Sequence, residues 1–579
     1  MKSTGKILIS FIAAGFAIFA AQLPAQERRV IPDSTWRQPV SIPVLLAGNF
    51  AEPRASHFHA GIDIKTYGTT GYPVYAVADG TVVRIRVEPA GYGLALYVRH
   101  NNGYTTVYGH LQEFSWDLAR YVRDEQYRKE SFSVDLYPNE SLFKVTKGEV
   151  IGFSGNSGSS DGPHLHFELR DTRSGNPVNP LLRGFAVADR TPPVMQHLYI
   201  YNQTSTYESW EPLVYPLTLS NGTYRPVTAD PLPVSELVTF GIEAWEVLDG
   251  SANRCGIYRL RLLVDNELIF STEMDEISYA EGRNVMSFMD YSRFQVQGKP
   301  VIRLFIQPNN LAGIYSWSAN RGYLQFTGEK RGQVTIEAED EAGNISRLIF
   351  EVKLNPGAFK RPVQASKTTG EYVHYAAPFT LIRDGITLRI PAGALFEDLY
   401  LDYSSGEGFQ GVYGRVHEIH RDVTGLLKPL RLILDLTPVP QPLRSKTLAV
   451  RLGQNNSRVY SGGTVVNNHL ETDITRFGRY ALAVDTLPPS VRPVNFTSGE
   501  EVAGLSEMVF RVSDDLSGIS RFRGEIDGRW VLFEYDPKDS RLSHRFDPER
   551  IPLGGRHQLT LSVYDIKGNL NTFRLNFSK

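Results

Sequence analysis

Hydrophobic positions along this chain come mostly in short alternating runs bounded by glycine, proline or asparagine, the pattern of strands and turns. Three such runs lie close together: Pro73–Ala78, Gly80–Val87 and Leu94–His100. Asn101, Asn102 and Gly103 then read as a hairpin turn into a strand over Tyr104–Tyr108. One stretch breaks the rule. Trp116–Glu130 is heavily charged and carries Leu118, Tyr121 and Val122 at helical spacing, so a helix is expected there. Later runs alternate as well, among them Ile386–Ile390 and the closing strand Phe477–Val484. The fold class expected is all-β and multidomain.

At 579 residues the chain exceeds what one core can organise, and roughly four domains are expected. Residues 43–185 form a first domain rich in glycine and histidine. Beyond it two stretches echo each other. Asp189–Pro193 is matched by Asp485–Pro489, and Gly256–Arg261 by Gly518–Arg523, with Asp265 or Asp527 nine positions after the glycine. Each copy then closes on Asp-x-x-Gly-Asn, at Asp340–Asn344 and Asp565–Asn569. Residues 186–355 and 486–579 therefore read as related β-sandwich modules of immunoglobulin-like type, the first enlarged, with a β-rich module over 356–485. The Asp-x-x-Gly-Asn segments read as tight turns rather than calcium loops.

The N-terminus alters the picture. Lys2 and Lys6 precede an apolar run from Ile7 to Ala21, and polar sequence resumes at Gln26. Fifteen apolar residues are short for a membrane span, which needs about 20. Residues 1–26 are expected to be a secretory signal peptide, leaving an exported protein with no transmembrane segment, in the periplasm, the cell envelope or the medium. A single cysteine, Cys255, excludes an internal disulfide. With 61 basic and 63 acidic residues the net charge is −2, so no global field draws the protein to nucleic acid.

Candidate chemistry concentrates in the first domain. His164 and His166 flank Leu165, and on a strand the two imidazoles share a face while the leucine points to the core. Paired imidazoles are a start for a zinc site. His59 and Asp63, four apart around Gly61, can bring a nitrogen and an oxygen to the same ion. Such a His, Asp, His set leaves a fourth tetrahedral position open, as catalytic zinc requires. His110, in the segment Tyr108–Leu111, lies between these motifs, and Glu168 falls on the face of His166. His57 reads equally as a neighbour of the site or a surface residue. Asn49 lies upstream without an evident role, and His417 and His420 read as surface positions.

His59-x-x-x-Asp63, Tyr108-Gly-His110 and the run from Gly152 through His164-Leu-His166 to Glu168 resemble the motifs of lysostaphin/LytM-type zinc metalloendopeptidases. The resemblance covers about 140 residues, a quarter of the chain. It implies a compact antiparallel β fold with a groove, one zinc ion and cleavage of peptide bonds in bacterial peptidoglycan. By motif position His59, Asp63 and His166 would be the metal ligands, and His110 and His164 the catalytic groups. The charged stretch Trp116–Phe143 looks like an insertion relative to compact members. Two other readings stand beside hydrolysis. One is a catalytically silent peptidoglycan-binding regulator of other wall hydrolases; the other is an envelope scaffold or adhesin. The β modules leave room for an envelope protein partner.

Overall fold

Alternation along the chain becomes strand after strand in the computed structural model, which describes residues 36–203, 212–228, 231–327, 331–355, 370–499, 501–550 and 554–579. The expected signal peptide lies outside the described residues. The protein is all-β and multidomain. It forms two compact units, one mainly from Leu45–Ile62 and Asn176–Ser366, the other from Pro39–Val44, Asp63–Gly175 and Lys367–Lys579.

In the second unit the N-terminal part is an antiparallel sheet. Its strands are β1 (Ile62–Lys65), β2 (Pro73–Tyr75), β3 (Gly80–Val87), β4 (Leu94–His100) and β5 (Tyr104–Phe114). After helix α1 (Trp116–Lys129) follow β6 (Val134–Leu136), β7 (Lys144–Val145), β8 (Val150–Ser154) and β9 (His164–Asp171). The order across the sheet is β1-β9-β5-β4-β3-β6, with β8 pairing both β2 and β5. One face is apolar: Val82, Ile85, Leu96, Val98, Leu165, Phe167 and Leu169 are fully buried. Each such side chain adds about 1.5–3 kcal/mol of burial free energy. The β4–β5 hairpin turns where expected, with Gly103 at φ +90°. Strand β5 runs on to Phe114 rather than stopping at Tyr108, because the chain bulges between Tyr108 and Leu111, where His110 sits, and then pairs with β8 from Leu111 onward.

Helix α1 forms over the predicted stretch and ends on Glu130, a left-handed cap with φ +47°. It buries Leu118 and Val122. Its exposed side is not all solvent: Tyr127 meets Trp530 edge-on at 5.0 Å, Arg550 stacks over Tyr127, and Arg523 and Arg550 pair with Glu130 and Asp124. The charged insertion is thus the platform on which the last module rests.

That module has two four-stranded sheets, Ser490–Pro493/Glu507–Ser513/Arg541–Arg545/Glu534–Asp536 and Arg529–Val531/Ile519–Ile526/Arg556–Asp565/Leu570–Ser578. They enclose Phe510, Phe533, Leu542, Leu559, Leu561 and Val563. Between residues 370 and 485 two five-stranded sheets enclose a core that includes Leu388, Leu432, Leu434 and Phe477. His417 and His420 lie inside this module, 4% and 8% exposed, which corrects the surface reading. His417 Nδ1 meets the Tyr403 hydroxyl at 2.9 Å and His420 packs edge-on against Phe477. Isolated polar residues with no metal-ligand spacing carry no sequence signal for burial; their strand neighbours supply it.

In the first unit, strand Val194–Gln203 pairs with Leu237–Trp245 and Leu213–Ser220, while Arg331–Glu339 pairs with Ile345–Leu354 and Arg259–Val264. Phe240 and Phe350, from different strand groups, meet at 5.7 Å in its core. Among the described residues no helix is long and apolar enough to cross a membrane.

Candidate metal centre

Strand β9 delivers two histidines to one place. Leu165 points into the core at 0% exposure, which turns His164 and His166 to the opposite face. His166 stands across from Gly109 on β5. A Cβ at that glycine would lie 3.3 Å from the Tyr92 ring and 3.4 Å from His166, so a bare backbone lets the histidine sit close to β5. His110 follows, with φ +58°, a strained conformation for a residue with a side chain. The cross-over at the bulge turns its imidazole toward the same place: the His110 ring centroid is 4.8 Å from that of His164 and 5.7 Å from that of His166.

Asp63, on β1, completes the face. Its Oδ1 is 2.9 Å from His166 Nδ1 and 3.4 Å from His164 Nε2. His59, Asp63 and His166 each offer one ligand atom, and the three atoms lie within 4.8 Å of one another.

Each imidazole is oriented by a bond from its other nitrogen. His59 Nδ1 donates to the Asn49 carbonyl at 2.7 Å, His166 Nε2 to Glu168 Oε1 at 2.9 Å, His110 Nδ1 to the Ser157 carbonyl at 2.8 Å and His164 Nδ1 to the Gly162 carbonyl at 2.8 Å. Such bonds fix which nitrogen keeps a lone pair, as at known metal sites. Two nitrogens and one carboxylate oxygen, all oriented inward, are a donor set that suits zinc.

The supporting shell has members that sequence reasoning missed. Tyr92 donates to Glu168 Oε1 at 2.5 Å and lies tilted against the His166 ring, centroids 5.2 Å apart; a lone tyrosine in a glycine-rich turn gives no such signal. The glycine-rich loop 155–162 lies against that turn. Gly158 has φ +72° and a Cβ there would be 2.3 Å from the Gly93 nitrogen, so no other residue fits. Burial opposes charge on Glu168, yet Arg170 and His166 outweigh it and hold the carboxyl down at about 2. Burial likewise opposes charge on His166, but its bonds to Asp63 and Glu168 raise it to about 9. His110 is pushed down to about 3 by burial and by the neighbouring His166 and His164.

His57 is exposed. The Asn49 side chain turns away from His59: it bonds the carbonyl and amide of Gly256 at 2.9 and 2.7 Å and Glu341 at 3.3 Å. At the rim of the loop, Lys538 of the last module donates to the carbonyls of Asn156 and Ser160.

This geometry agrees with what the region resembles. Residues 57–127 and 140–180 match the model of Peptidase family M23. The interval between the two matched stretches falls on the end of α1 and on β6, within the insertion read from sequence. A second match, to the Zu5-like domain, covers residues 370–485. Over 138 residues the chain is 38% identical to the DD-carboxypeptidase/endopeptidase Mpg of Neisseria meningitidis serogroup B, covering 24% of each chain. It is 32% identical over 167 residues to the peptidoglycan DD-endopeptidase ShyA of Vibrio cholerae, covering 28% of this chain and 30% of that one. It is also 31% identical over 150 residues to the murein hydrolase activator NlpD of Escherichia coli, covering 26% and 31%. The chain spans about a quarter of the length of the first of these curated relatives. The region that matches the M23 family is thus followed by β modules that the curated relatives' matches do not cover.

Proposed function

We propose that the M23 domain is a zinc-dependent endopeptidase that hydrolyses peptide bonds in bacterial peptidoglycan, in a protein exported to the cell envelope. The observation that carries the reading is the meeting of His59, Asp63 and His166 within 4.8 Å, with His110 and His164 beside them. His59, Asp63 and His166 would hold the ion. When bound, zinc supplies Lewis acidity to a peptide carbonyl and to water.

The chain's own groups do the rest. With Nδ1 of His110 and His164 given to backbone carbonyls, each leaves Nε2 for the face they share with His166, where an imidazole can accept or return a proton. Asp63 Oδ1 lies 3.4 Å from His164 Nε2, so one carboxylate borders both the ligand set and the proton-transfer pair. Similarity to Mpg and ShyA supports a peptide of the cell wall as substrate.

Similarity to the activator NlpD favours a second reading, recognition of the wall without cutting. The full set of five groups favours hydrolysis. A gel containing peptidoglycan separates the two. The full chain should clear it, a chelator should stop the clearing and added zinc should restore it, while His59→Ala should neither bind zinc nor clear. Clearing that persists in chelator, or in His59→Ala, would reject the metal reading.

A further inference from the structure

The two Asp-x-x-Gly-Asn turns are built alike. Asn344 donates to Asp340 Oδ1 from its backbone and to Asp340 Oδ2 from its side chain, both at 2.8 Å, and its side chain reaches the Asp189 carbonyl at 3.3 Å. Asn569 makes the same three contacts, with Asp565 Oδ1 at 2.9 Å, Asp565 Oδ2 at 2.6 Å and the Asp485 carbonyl at 3.0 Å. Each turn is therefore tied to the aspartate that opens its own copy. A further acid joins each from the end of a strand: Glu246 follows Leu237–Trp245, and Asp514 follows Glu507–Ser513.

The copies differ in what lies beside the acids. In the last module, Lys567 lies within the turn and feels the charges of both Asp485 and Asp565, while its Nζ donates to the Gly463 carbonyl. Asp514 Oδ2 there accepts from the amides of Leu516 and Gly518, and Asp485 Oδ2 from that of Ser517, while Asp514 Oδ1 is buried without a partner. The position equivalent to Lys567 in the first copy is Ala342.

Yet the acids remain. One carboxylate oxygen each from Asp189, Glu246 and Asp340 lie within 4.8 Å of one another. Glu246 is only 1% exposed. Its Oε1 accepts from the Val247 amide at 2.7 Å, and its Oε2 is buried with no hydrogen-bond partner. Burial, with Asp340 and Asp189 close by, pushes its carboxyl up to about 9. A cation beside a buried acid with one unbonded oxygen would offset the cost of burying its charge.

We propose that Asp189, Glu246 and Asp340 bind a divalent cation of the calcium type, in the copy that has Ala342 where the last has Lys567. The donors are all carboxylate oxygens, with no imidazole or thiolate, which suits a hard, oxygen-seeking ion and sets this site apart from the His59, Asp63, His166 centre. The ion would answer the buried Glu246 oxygen and pin the entry segment Asp189–Pro193 to the turn Asp340–Asn344. Its affinity should fall in the range of about 10⁻⁴–10⁻³ M typical of extracellular modules.

The test is calorimetric. The full chain, stripped with chelator and given one equivalent of zinc to fill the histidine centre, is titrated with calcium chloride, and its melting is followed with and without calcium. One calcium should bind and raise the melting temperature. Glu246→Gln should weaken binding at least tenfold. Ala342→Lys, which imports the lysine of the last module, should abolish both the binding and the calcium-dependent shift. No heat of binding by the wild-type chain at millimolar calcium would overturn the proposal, as would wild-type affinity in both variants.

Discussion

At the scale of single residues, the division of labour on β9 makes a sharp prediction. His166 has its Nδ1 against Asp63 and its Nε2 held by a fully buried Glu168, whereas His164 is oriented by a backbone carbonyl and only grazes Asp63. His166→Ala should therefore lose zinc, while His164→Ala should keep most of it and still lose hydrolysis by about 10²–10⁴-fold, the usual weight of a proton-transfer group. Metal analysis beside a rate assay reads both. Equal zinc loss in the two variants would show that the roles are not divided this way. The alternation around Leu165 made the shared face of these histidines legible in sequence, because strand geometry has a period of two. Tyr92 was not legible, since its contact with Glu168 joins residues 76 positions apart and depends on how the loop 155–162 packs on the turn at Gly93.

Among elements, α1 and the middle module carry the next expectations. The helix was readable from its own spacing, but its role was not, because the partner surface lies some 400 residues later in the chain. Trp530→Ala removes the ring that meets Tyr127 edge-on, an aromatic contact worth about 0.5–1.5 kcal/mol beyond area. Hydrogen exchange should then quicken along Trp116–Lys129; unchanged protection there would mean the contact contributes nothing to docking.

The middle module should be acid-sensitive. Burial pushes both His417 and His420 down to about 4, Arg415 and Arg421 respectively adding to it, against about 6.5 in an unfolded chain. Between those values the unfolded chain binds more protons than the folded one, so stability is intact above pH ~6.5 and falls as pH drops toward ~4. The loss should be of the order of 3 kcal/mol for each histidine. Hydrogen exchange in Tyr413–Ile419, corrected for the intrinsic effect of pH, should show weakening protection over that window in the wild type and a smaller change in His417→Gln. A flat profile would contradict it.

Across the whole molecule, the repeated signatures of the two β modules could be read early because turns depend on local chemistry: aspartate, glycine and asparagine at fixed offsets make the same bonds at Asp340 and Asp565. The exchange of Lys567 for Ala342 also stands in the sequence, but only the burial of Glu246 gives it meaning. The candidate metal centre was legible in outline through motif spacing, while its convergence depended on strands far apart in the chain. The central claim, that three converging ligands hold one zinc ion that drives cutting of wall peptides, is tested most directly on purified sacculi. Mass spectrometry of the material released by the full chain should show newly freed peptide ends, with glycan strands uncut, only when the protein holds one zinc and only with His59, Asp63 and His166 in place. Release of the same fragments by the zinc-free protein, or no peptide cleavage by the zinc-loaded one, would contradict the account.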